Sequence, residues 1–284
     1  LCDILGVDCT VTGLLDEWTA MAHHLDTLTK EVHIAMVGKY TDLSDAYLSV
    51  IKSLQHAAMA VDRKLVIDWI EASHLEKSWD VKEHEEAWHL LRKAHGVLVP
   101  GGFGDRGIEG KILAAQHARE QGVPFLGICL GLQIATIEFC RNVLDLNGAN
   151  STEFEDNPEH AAVIFMPEIS KTHLGGTMRL GSRPTLWQHE DSKIRELYGP
   201  GDAVDERHRH RYEVNPDLID RIEEAGLMFV GKDESGQRCE IFELKDHPYY
   251  VGVQFHPEFK SRPGKPSPPF LGLLKAASSN GKQA

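Results

Sequence analysis

The chain has 284 residues, of which 42% are hydrophobic and 26% charged, a composition typical of a soluble globular protein with a sizeable core. Its formal net charge of −13 argues against binding to nucleic-acid phosphates, because that function needs a basic surface. The sequence has no run of about 18 apolar residues and no basic, apolar leader. We therefore predict neither a membrane helix nor a secretion signal.

The cysteines are few and irregularly spaced. Their odd number and the lack of a C-x-x-C pair favour neither a disulfide framework nor a zinc site. We expect no bound metal and a reducing, cytoplasmic location. The five positions are Cys2, Cys9, Cys129, Cys140 and Cys239.

The first half of the chain alternates short apolar runs with segments of helical periodicity. Such alternation predicts a parallel sheet with helices on both faces. Strands are predicted at 32–38, 64–72, 95–102 and 123–129, and helices at 45–62 (with Ser44 as its cap), 82–94, 108–122 and 130–144.

The second half contains closely spaced strand candidates and fewer helical segments, which predicts an antiparallel extension beside the parallel sheet. The fold class is therefore α/β, with a central, mostly parallel sheet. Residues 1–30 are interpreted as a linker or helix leading into one domain at 31–284. Because the chain opens on Leu1 rather than Met, we expect it to be part of a longer polypeptide. The strand candidates are 161–166, 177–181, 211–215, 226–232, 239–244 and 249–255.

Cys129 lies between two glycines in GICLGLQ (127–133), after a predicted strand and before a predicted helix. A sharp turn of this kind exposes a nucleophile and places the next backbone N–H where an oxyanion forms. It also brings the sulfur to a helix N-terminus, which favours the thiolate. The alternative is a buried structural cysteine near a loop glycine.

A general base and its orienting group are offered by His256 and Glu258 in VGVQFHPEF (251–259). In an extended chain, residues two apart point to the same side. His256 would hold Cys129 as a thiolate and protonate the leaving amine, and Glu258 would fix the tautomer of His256. The alternative is a core histidine beside a solvated glutamate.

The loop VPGGFGDRGIEG (99–110) contains a G-x-G-x-x-G pattern after a strand, so a dinucleotide site is an alternative function. Against it, the loop follows the third predicted strand, and no acidic residue ends the next one. The loop also suits another task, because Gly102 can present a backbone N–H towards Cys129 as a second oxyanion donor.

The basic run from Arg207 to Arg211 alternates arginine with histidine. As a strand, it would send the arginines to one side and the histidines to the other. One arginine would then be free to bind a substrate carboxylate with two hydrogen bonds. The alternatives are a nucleic-acid patch and a solvated charged strand.

Six segments of the sequence together resemble the class I glutamine amidotransferase domain of the CTP synthase family. The resemblance runs from about residue 15 to about residue 275. The segments are PGGFGDRGIEGK (100–111), GICLGLQ (127–133), NSTEF (150–154), GGTMRLG (175–181), ERHRHRYEVN (206–215) and GVQFHPEFKSRP (252–263).

The resemblance implies roles for individual residues. It implies a catalytic triad of Cys129, His256 and Glu258. Glu153 would pair with the α-amino group of glutamine and Arg211 with its α-carboxylate, which leaves the side-chain amide at Cys129. Family members more often carry methionine at position 132, and leucine conserves that volume. The implied L-glutamine-binding residues are Gly102, Phe103, Leu130, Gly131, Leu132, Gln133, Glu153 and Arg211.

The resemblance also implies partners beyond this chain. In the family, an N-terminal synthetase domain of the same polypeptide uses ATP and Mg²⁺ to convert UTP to CTP, and GTP activates it. The full-length enzymes form homotetramers and filaments. No G-x-x-x-x-G-K-[ST] phosphate loop appears here, so we expect no cofactor in this domain.

The function implied is hydrolysis of L-glutamine to glutamate and ammonia through a cysteine thioester, with the ammonia passed on for pyrimidine nucleotide biosynthesis. The alternative is a non-catalytic module kept for assembly or regulation. The three intact residues Cys129, His256 and Glu258 argue against that alternative.

Overall fold

A computed structural model of the chain describes residues 2–6, 13, 15–39, 41, 44–77, 79–166 and 178–279. The strands are β1 (Glu31–Gly38), β2 (Lys64–Glu71), β3 (Gly96–Val99), β4 (Phe125–Ile128), β5 (Ala149–Ser151), β6 (His160–Phe165), β7 (Arg179–Trp187), β8 (Ala203–His210), β9 (Tyr212–Val214), β10 (Leu227–Lys232), β11 (Cys239–Leu244) and β12 (Tyr250–Val253). The helices are α1 (Cys2–Leu5), α2 (Asp16–Thr27), α3 (Leu48–Ala60), α4 (Val81–Lys93), α5 (Ile108–Gln121), α6 (Leu130–Asn142), α7 (Lys193–Tyr198), α8 (Ile219–Glu224) and α9 (Pro268–Ser279).

The described residues form a nine-stranded mixed sheet in the order β2-β1-β3-β4-β12-β11-β10-β7-β8. Its first five strands are parallel. From β11 onwards each strand is antiparallel to its neighbour. The predicted fold class, with a mostly parallel sheet and an antiparallel extension, is confirmed. Strands β5, β6 and β9 form a separate small sheet and do not join the extension.

Two apolar layers cover the faces of the large sheet. In β1, Ala35 and Val37 lie in the layer that contains α4, α5 and α6, whereas Ile34 and Met36 lie in the layer that contains α3 and α9. Successive side chains of a strand point to opposite faces. Because helices cover both faces, the central strands are apolar throughout rather than alternating with polar residues.

Most predicted elements differ from the structure by one to three residues at an end, and two of the differences have an identifiable cause. Residues 44–47 form a 3₁₀ turn and α3 begins at Leu48, so Tyr47 rather than Ser44 occupies its N-cap position. The strand expected at 177–181 begins at Arg179 and continues to Trp187, and residue 177 lies outside the described residues. Its greater length follows from pairing with β8 along eight residue pairs, a partner that local sequence does not indicate.

Three short elements were not predicted: β5, α7 and α8. Helix α7 has six residues, too few for helix propensity alone to stabilise it. Tertiary contacts stabilise it instead. Ser192 caps it by accepting a hydrogen bond from the Arg195 N–H, and the Glu243 carboxylate accepts from the N–H groups of Lys193 and Ile194. These contacts cannot be read from the local pattern.

The expected linker, residues 1–30, contains the short helix α1 and the longer helix α2. No residue of α2 is buried, which agrees with a segment outside the core. The boundary between linker and domain stays a prediction. Among the residues described here, no helix is long and apolar enough to cross a bilayer.

The carboxyl ends of the parallel strands bring the chemically important segments together. Lys39 follows β1, Gly101 follows β3, Cys129 follows β4, and His256 follows β12 after two residues. In open α/β sheets, ligands bind at this edge. The fold therefore places four separate segments around one cleft.

Replacing Gly131 with alanine is expected to destabilise the protein. Helix propensity alone would favour alanine by about 1 kcal/mol. A Cβ at this position would, however, lie 2.2 Å from the Val99 carbonyl oxygen. We expect the overlap to dominate and Gly131→Ala to lower the free energy of unfolding by about 1–3 kcal/mol, measured by urea denaturation. Gly102→Ala is the matched control, since its Cβ would find no atom closer than 3.6 Å. Equal unfolding midpoints for the two variants would contradict the prediction.

Candidate active site

Cys129 lies on the turn between β4 and α6, as predicted, with φ +53° and ψ −102°. A positive φ is uncommon for a residue other than glycine and costs about 1–3 kcal/mol, so neighbouring structure must hold it. Its N–H donates to the Val253 carbonyl at 2.7 Å, and its carbonyl accepts from the N–H of Leu132 at 3.1 Å. The turn is thus fixed from both sides.

The two glycines beside Cys129 permit close approach of backbone segments. A Cβ on Gly127 would lie 2.6 Å from the Gly131 carbonyl group, and one on Gly131 would overlap Val99. The first turn of α6 therefore packs directly against the ends of β3 and β4. A cysteine that is only a small core residue does not need this arrangement.

His256 lies between Cys129 and Glu258. Its Nδ1 is 2.8 Å from Glu258 Oε1, which leaves Nε2 for the cysteine. Gly101 borders both His256 and Cys129, because a Cβ there would lie 2.9 Å from His256 Cε1 and 3.4 Å from Cys129 Cβ. The structure thus brings Cys129, His256 and Glu258 together in the order that a triad requires.

The backbone conformation that brings His256 and Glu258 together differs from the predicted one. We expected an extended chain, but β12 ends at Val253 and residues 257–260 form a 3₁₀ turn. Pro257 occupies the first position of that turn, where its fixed φ is favourable and its missing N–H costs nothing. The turn, rather than strand alternation, brings the Glu258 carboxylate back to His256.

Electrostatics favour a charged His256. Burial alone lowers the pKa of this imidazole, but its hydrogen bonds to Cys129 and Glu258 outweigh burial and raise the pKa to about 10. An imidazolium beside the sulfur stabilises a thiolate. By contrast, burial raises the pKa of the Cys140 thiol to about 12 and also raises that of Cys239. Among the described cysteines, Cys129 alone has a catalytic environment.

Gly102 and Leu130 lie side by side at the mouth of the turn. A Cβ on Gly102 would lie 3.6 Å from Leu130 Cδ2. Leu130 is the first residue of α6, and N–H groups of a first helical turn have no partner within the helix. The geometry therefore suits the predicted pair of backbone donors to an oxyanion. The glycine loop borders the triad, which favours this role over the dinucleotide alternative.

Glu153 and Arg211 lie near each other beside the loop. Burial raises the pKa of Glu153, while a hydrogen bond from the Gly104 N–H and the charges of Lys39 and Arg211 oppose the shift. Arg211 Nε is buried and has no hydrogen-bond partner among the described residues. A guanidinium with an unused donor next to a carboxylate can take up the two charged groups of an amino acid.

Other predicted glutamine-binding residues contribute in different ways. The side chains of Leu130 and Leu132 belong to the apolar core, so only their backbone can face a ligand. Gln133 is buried, and its amide nitrogen donates to the backbone carbonyl of Tyr212 and to the side-chain Oε1 of Gln254. Phe103 is 52% exposed, with the Arg209 guanidinium 5.7 Å from its ring centre.

Comparisons with known proteins agree with this geometry. The family model described as "Glutamine amidotransferase class-I" matches residues 42–276. The chain belongs to the class I glutamine amidotransferase family.

Within this family, the chain is similar to proteins named CTP synthase. The chain is 61% identical over 269 residues to a CTP synthase of Dictyostelium discoideum and 58% identical over 274 residues to CTP synthase 2 of Saccharomyces cerevisiae. These alignments cover 92% and 93% of this chain but 47% of each relative, so the chain spans about half of their length. The solved glutaminase domain of Trypanosoma brucei CTPS with bound acivicin matches with a TM-score of 0.81 and 37% identity, covering 88% of this chain and 94% of that one.

Two buried lysines near the site were not predicted from the sequence. Lys39 is buried and donates to the carbonyl oxygens of Phe103 and Gly104 at 2.9 and 2.7 Å. Lys111 is 1% exposed, and its Nζ lies 4.0 Å from the place of a Cβ on Gly102. Burial lowers the pKa of both amines, that of Lys111 to about 7. The position of Lys39, directly after a parallel strand, was the one available signal.

The basic run from Arg207 to Arg211 has one exposed and one buried face along β8. On β8, Arg207 and Arg209 are exposed, whereas His208 and His210 are buried, as strand alternation predicts. Arg211 does not continue that face, because β8 ends at His210 and the chain bends there. Burial lowers the pKa of His208 to about 2 and of His210 to about 3, so both are neutral. No cluster of metal-ligating side chains is found in the described part of the chain.

Glu206 makes the stability of this protein depend on pH. It is 2% exposed and accepts a hydrogen bond from Tyr198, and burial raises its pKa to about 7, above the ordinary glutamate value of 4.5. Between those values the folded state binds the extra proton, so this group's contribution to stability is lost as pH rises towards 7.

Glu206→Gln should remove that loss while keeping an acceptor for Tyr198. We expect its free energy of unfolding, relative to the unmodified chain, to rise by about 1–3 kcal/mol between about pH 5 and pH 8. Urea denaturation at the two pH values measures this. Glu155→Gln, on the surface, is the control. If the free energies of unfolding of Glu206→Gln and of the unmodified chain differed by the same amount at both pH values, Glu206 would not titrate as described.

Proposed function

We propose that this chain hydrolyses L-glutamine to glutamate and ammonia, as the glutaminase half of a CTP synthase. The arrangement of Cys129, His256 and Glu258 carries the proposal, since it joins a nucleophile, a base and an orienting carboxylate in hydrogen-bonding order. The relatives named CTP synthase support the choice of substrate and pathway.

The first half-reaction forms a thioester. The Cys129 thiolate attacks the side-chain amide carbon of glutamine, and the C–S bond forms as the carbonyl oxygen becomes an oxyanion. Backbone N–H groups of Gly102 and Leu130 stabilise that charge. The C–N bond then breaks, and the His256 imidazolium gives its proton to the departing nitrogen, so ammonia leaves.

The second half-reaction returns the enzyme to its starting state. His256, now neutral, accepts a proton from a water molecule, whose oxygen attacks the thioester carbon. The C–S bond breaks, the Cys129 thiolate again faces an imidazolium, and the new carboxylic acid loses its proton to solvent as glutamate leaves. Glu258 holds the ring orientation throughout, because its carboxylate accepts the Nδ1–H.

Binding of the amino-acid end falls to Glu153 and Arg211. The α-carboxylate would pair with the Arg211 guanidinium and its unused Nε donor, and the α-amino group with Glu153. Gly131 and Gln133 would line the floor, and Phe103 the rim. These contacts leave the side-chain amide over Cys129.

The partners proposed for the whole protein follow from its relatives. The ammonia would pass to an N-terminal synthetase domain that aminates UTP with ATP and Mg²⁺ and is activated by GTP. The full protein would form homotetramers and filaments in the cytoplasm. This chain would itself need no cofactor.

Replacing Cys129 with alanine tests the proposal. We expect glutamine hydrolysis by the Cys129→Ala chain to fall at least about a thousandfold, because no other described thiol lies beside an imidazolium. Ammonia release from L-glutamine is the measurement. Cys140→Ala is the matched control, since Cys140 is buried on the same helix but lies in the core. Undiminished hydrolysis by Cys129→Ala, or none by the unmodified chain, would favour a non-catalytic module.

Replacing Arg211 with alanine should weaken capture of glutamine. Loss of a charge-assisted contact costs about 1.5–3 kcal/mol, so we expect KM for glutamine to rise about ten- to a hundredfold with a smaller change in kcat. Steady-state kinetics measures both constants. Arg209→Ala is the control, because Arg209 is exposed on β8 and lies over Phe103. An unchanged KM in Arg211→Ala, with a raised KM in Arg209→Ala, would transfer the role to Arg209.

A further inference from the structure

Gln254 is a polar residue at the active-site sulfur to which the mechanism above assigns no role. It follows β12 and is 1% exposed. Its Nε2 donates to Cys129 Sγ at 3.7 Å, and its backbone N–H donates to the Glu240 carbonyl at 2.8 Å. The sulfur therefore has a second side-chain neighbour in addition to His256.

The neighbouring hydrogen bonds determine which end of the Gln254 amide faces the sulfur. Gln133 Nε2 donates to the Tyr212 carbonyl at 3.1 Å and to Gln254 Oε1 at 3.2 Å. A backbone carbonyl can only accept, so Gln133 must turn its NH₂ group towards Tyr212 and Gln254. Gln254 must then present its oxygen to Gln133 and its NH₂ group to Cys129.

The sulfur also faces a backbone carbonyl oxygen. The carbonyl oxygen of Arg209 lies 3.9 Å from Cys129 Sγ and can accept the thiol proton. Once the proton has left, that carbonyl dipole points its negative end at the thiolate. A donor on the sulfur is needed to offset this repulsion, and the imidazolium of His256 and the amide of Gln254 are the groups in place.

We propose that Gln254 is a further catalytic residue, whose amide N–H stabilises the Cys129 thiolate, and that Gln133 is a positioning residue that keeps this N–H directed at the sulfur. The thiolate's part in glutamine hydrolysis rests on the proposed function, whereas its formation does not. The donor would act twice, on the attacking thiolate and on the thiolate that leaves when the thioester is hydrolysed.

The proposal makes a prediction that depends on pH. A donor increases the fraction of thiolate, but it also withdraws charge and makes each thiolate a weaker nucleophile. A variant without the donor should react more slowly at low pH, where the thiolate fraction limits the rate. At a pH high enough to ionise the Cys129 thiol in both the unmodified chain and the variant, the variant should react equally fast or faster.

The experiment follows alkylation of Cys129 by iodoacetamide in the unmodified chain and in Gln254→Met, with the labelled peptide quantified by mass spectrometry. We expect Gln254→Met to be alkylated about tenfold more slowly near pH 6.5, the loss of one hydrogen bond to a charged atom, and no more slowly near pH 9.5. Thr136→Val is the control, because Thr136 is buried on α6 and, among the described residues, its hydroxyl donates to the Leu132 carbonyl and not to the sulfur.

Two further variants keep the test decisive. Gln254→Glu conserves shape and serves if Gln254→Met does not fold, as judged by thermal unfolding. It should be slower than the unmodified chain near pH 6.5, since a carboxylate opposes the thiolate. Gln133→Met frees the Gln254 amide to turn, so it should also slow alkylation near pH 6.5. The double variant Gln133→Met/Gln254→Met should be no slower than Gln254→Met alone.

Each outcome decides a part of the proposal. An unchanged rate near pH 6.5, or an equal loss at both pH values, would mean that Gln254 only packs and would overturn its assignment. Additive effects in the double variant would overturn the positioning role of Gln133. Because iodoacetamide needs no amino-acid site, these results stand even if the chain proves unable to hydrolyse glutamine, which would count against the proposed function alone.

Discussion

The close contact between the first turn of α6 and the end of β3 is the constraint on which the site depends. Gly131 lies so near the Val99 carbonyl that a single Cβ would overlap it. This contact, with the hydrogen bond from Cys129 to Val253, holds Cys129 at a positive φ that an unsupported chain would leave. The strain costs about 1–3 kcal/mol. What it provides is a sulfur held between a helix N-terminus and the end of the last parallel strand.

Parallel strands extend this constraint to the rest of the cleft. Since their carboxyl ends meet at one edge of the sheet, segments more than two hundred residues apart, such as Lys39 and His256, lie at the same edge. Lys39 then fixes the loop by binding two successive carbonyl oxygens, those of Phe103 and Gly104. A loop rich in glycine would otherwise lose much entropy on ordering. The buried amine therefore helps to keep the predicted oxyanion donor at Gly102 in place.

Sequence patterns predicted the parts of the site that depend on local geometry. Glycines on both sides of Cys129 indicated the turn, and periodicity indicated the alternating strands and helices around it. Lys39, Lys111 and Gln254 were not predicted, because the burial of a polar side chain depends on which distant segments cover it. The contribution of β8 to the site was also not predicted. It supplies the carbonyl oxygens of Arg207 to His256 and of Arg209 to the sulfur, and backbone groups leave no trace in residue type.

The polar groups beneath β8 show why the antiparallel half of the sheet matters for chemistry at the parallel half. His208 and His210 are neutral and bonded to each other, and Glu240 accepts hydrogen bonds from Arg179 and Thr185. Hydrogen bonds among buried polar groups are directional, and they therefore favour one arrangement of the strands that carry them. Glu240 Oε1 lies 3.7 Å from His208 Nε2, so this cluster connects β11 to β8, and the distance of the Arg209 carbonyl from Cys129 depends on where β8 lies. A core of apolar side chains would hold the sheet together equally well but would fix this distance less closely, since apolar contacts are not directional. The burial of ionisable groups here is therefore best understood as positioning of the backbone that borders the nucleophile.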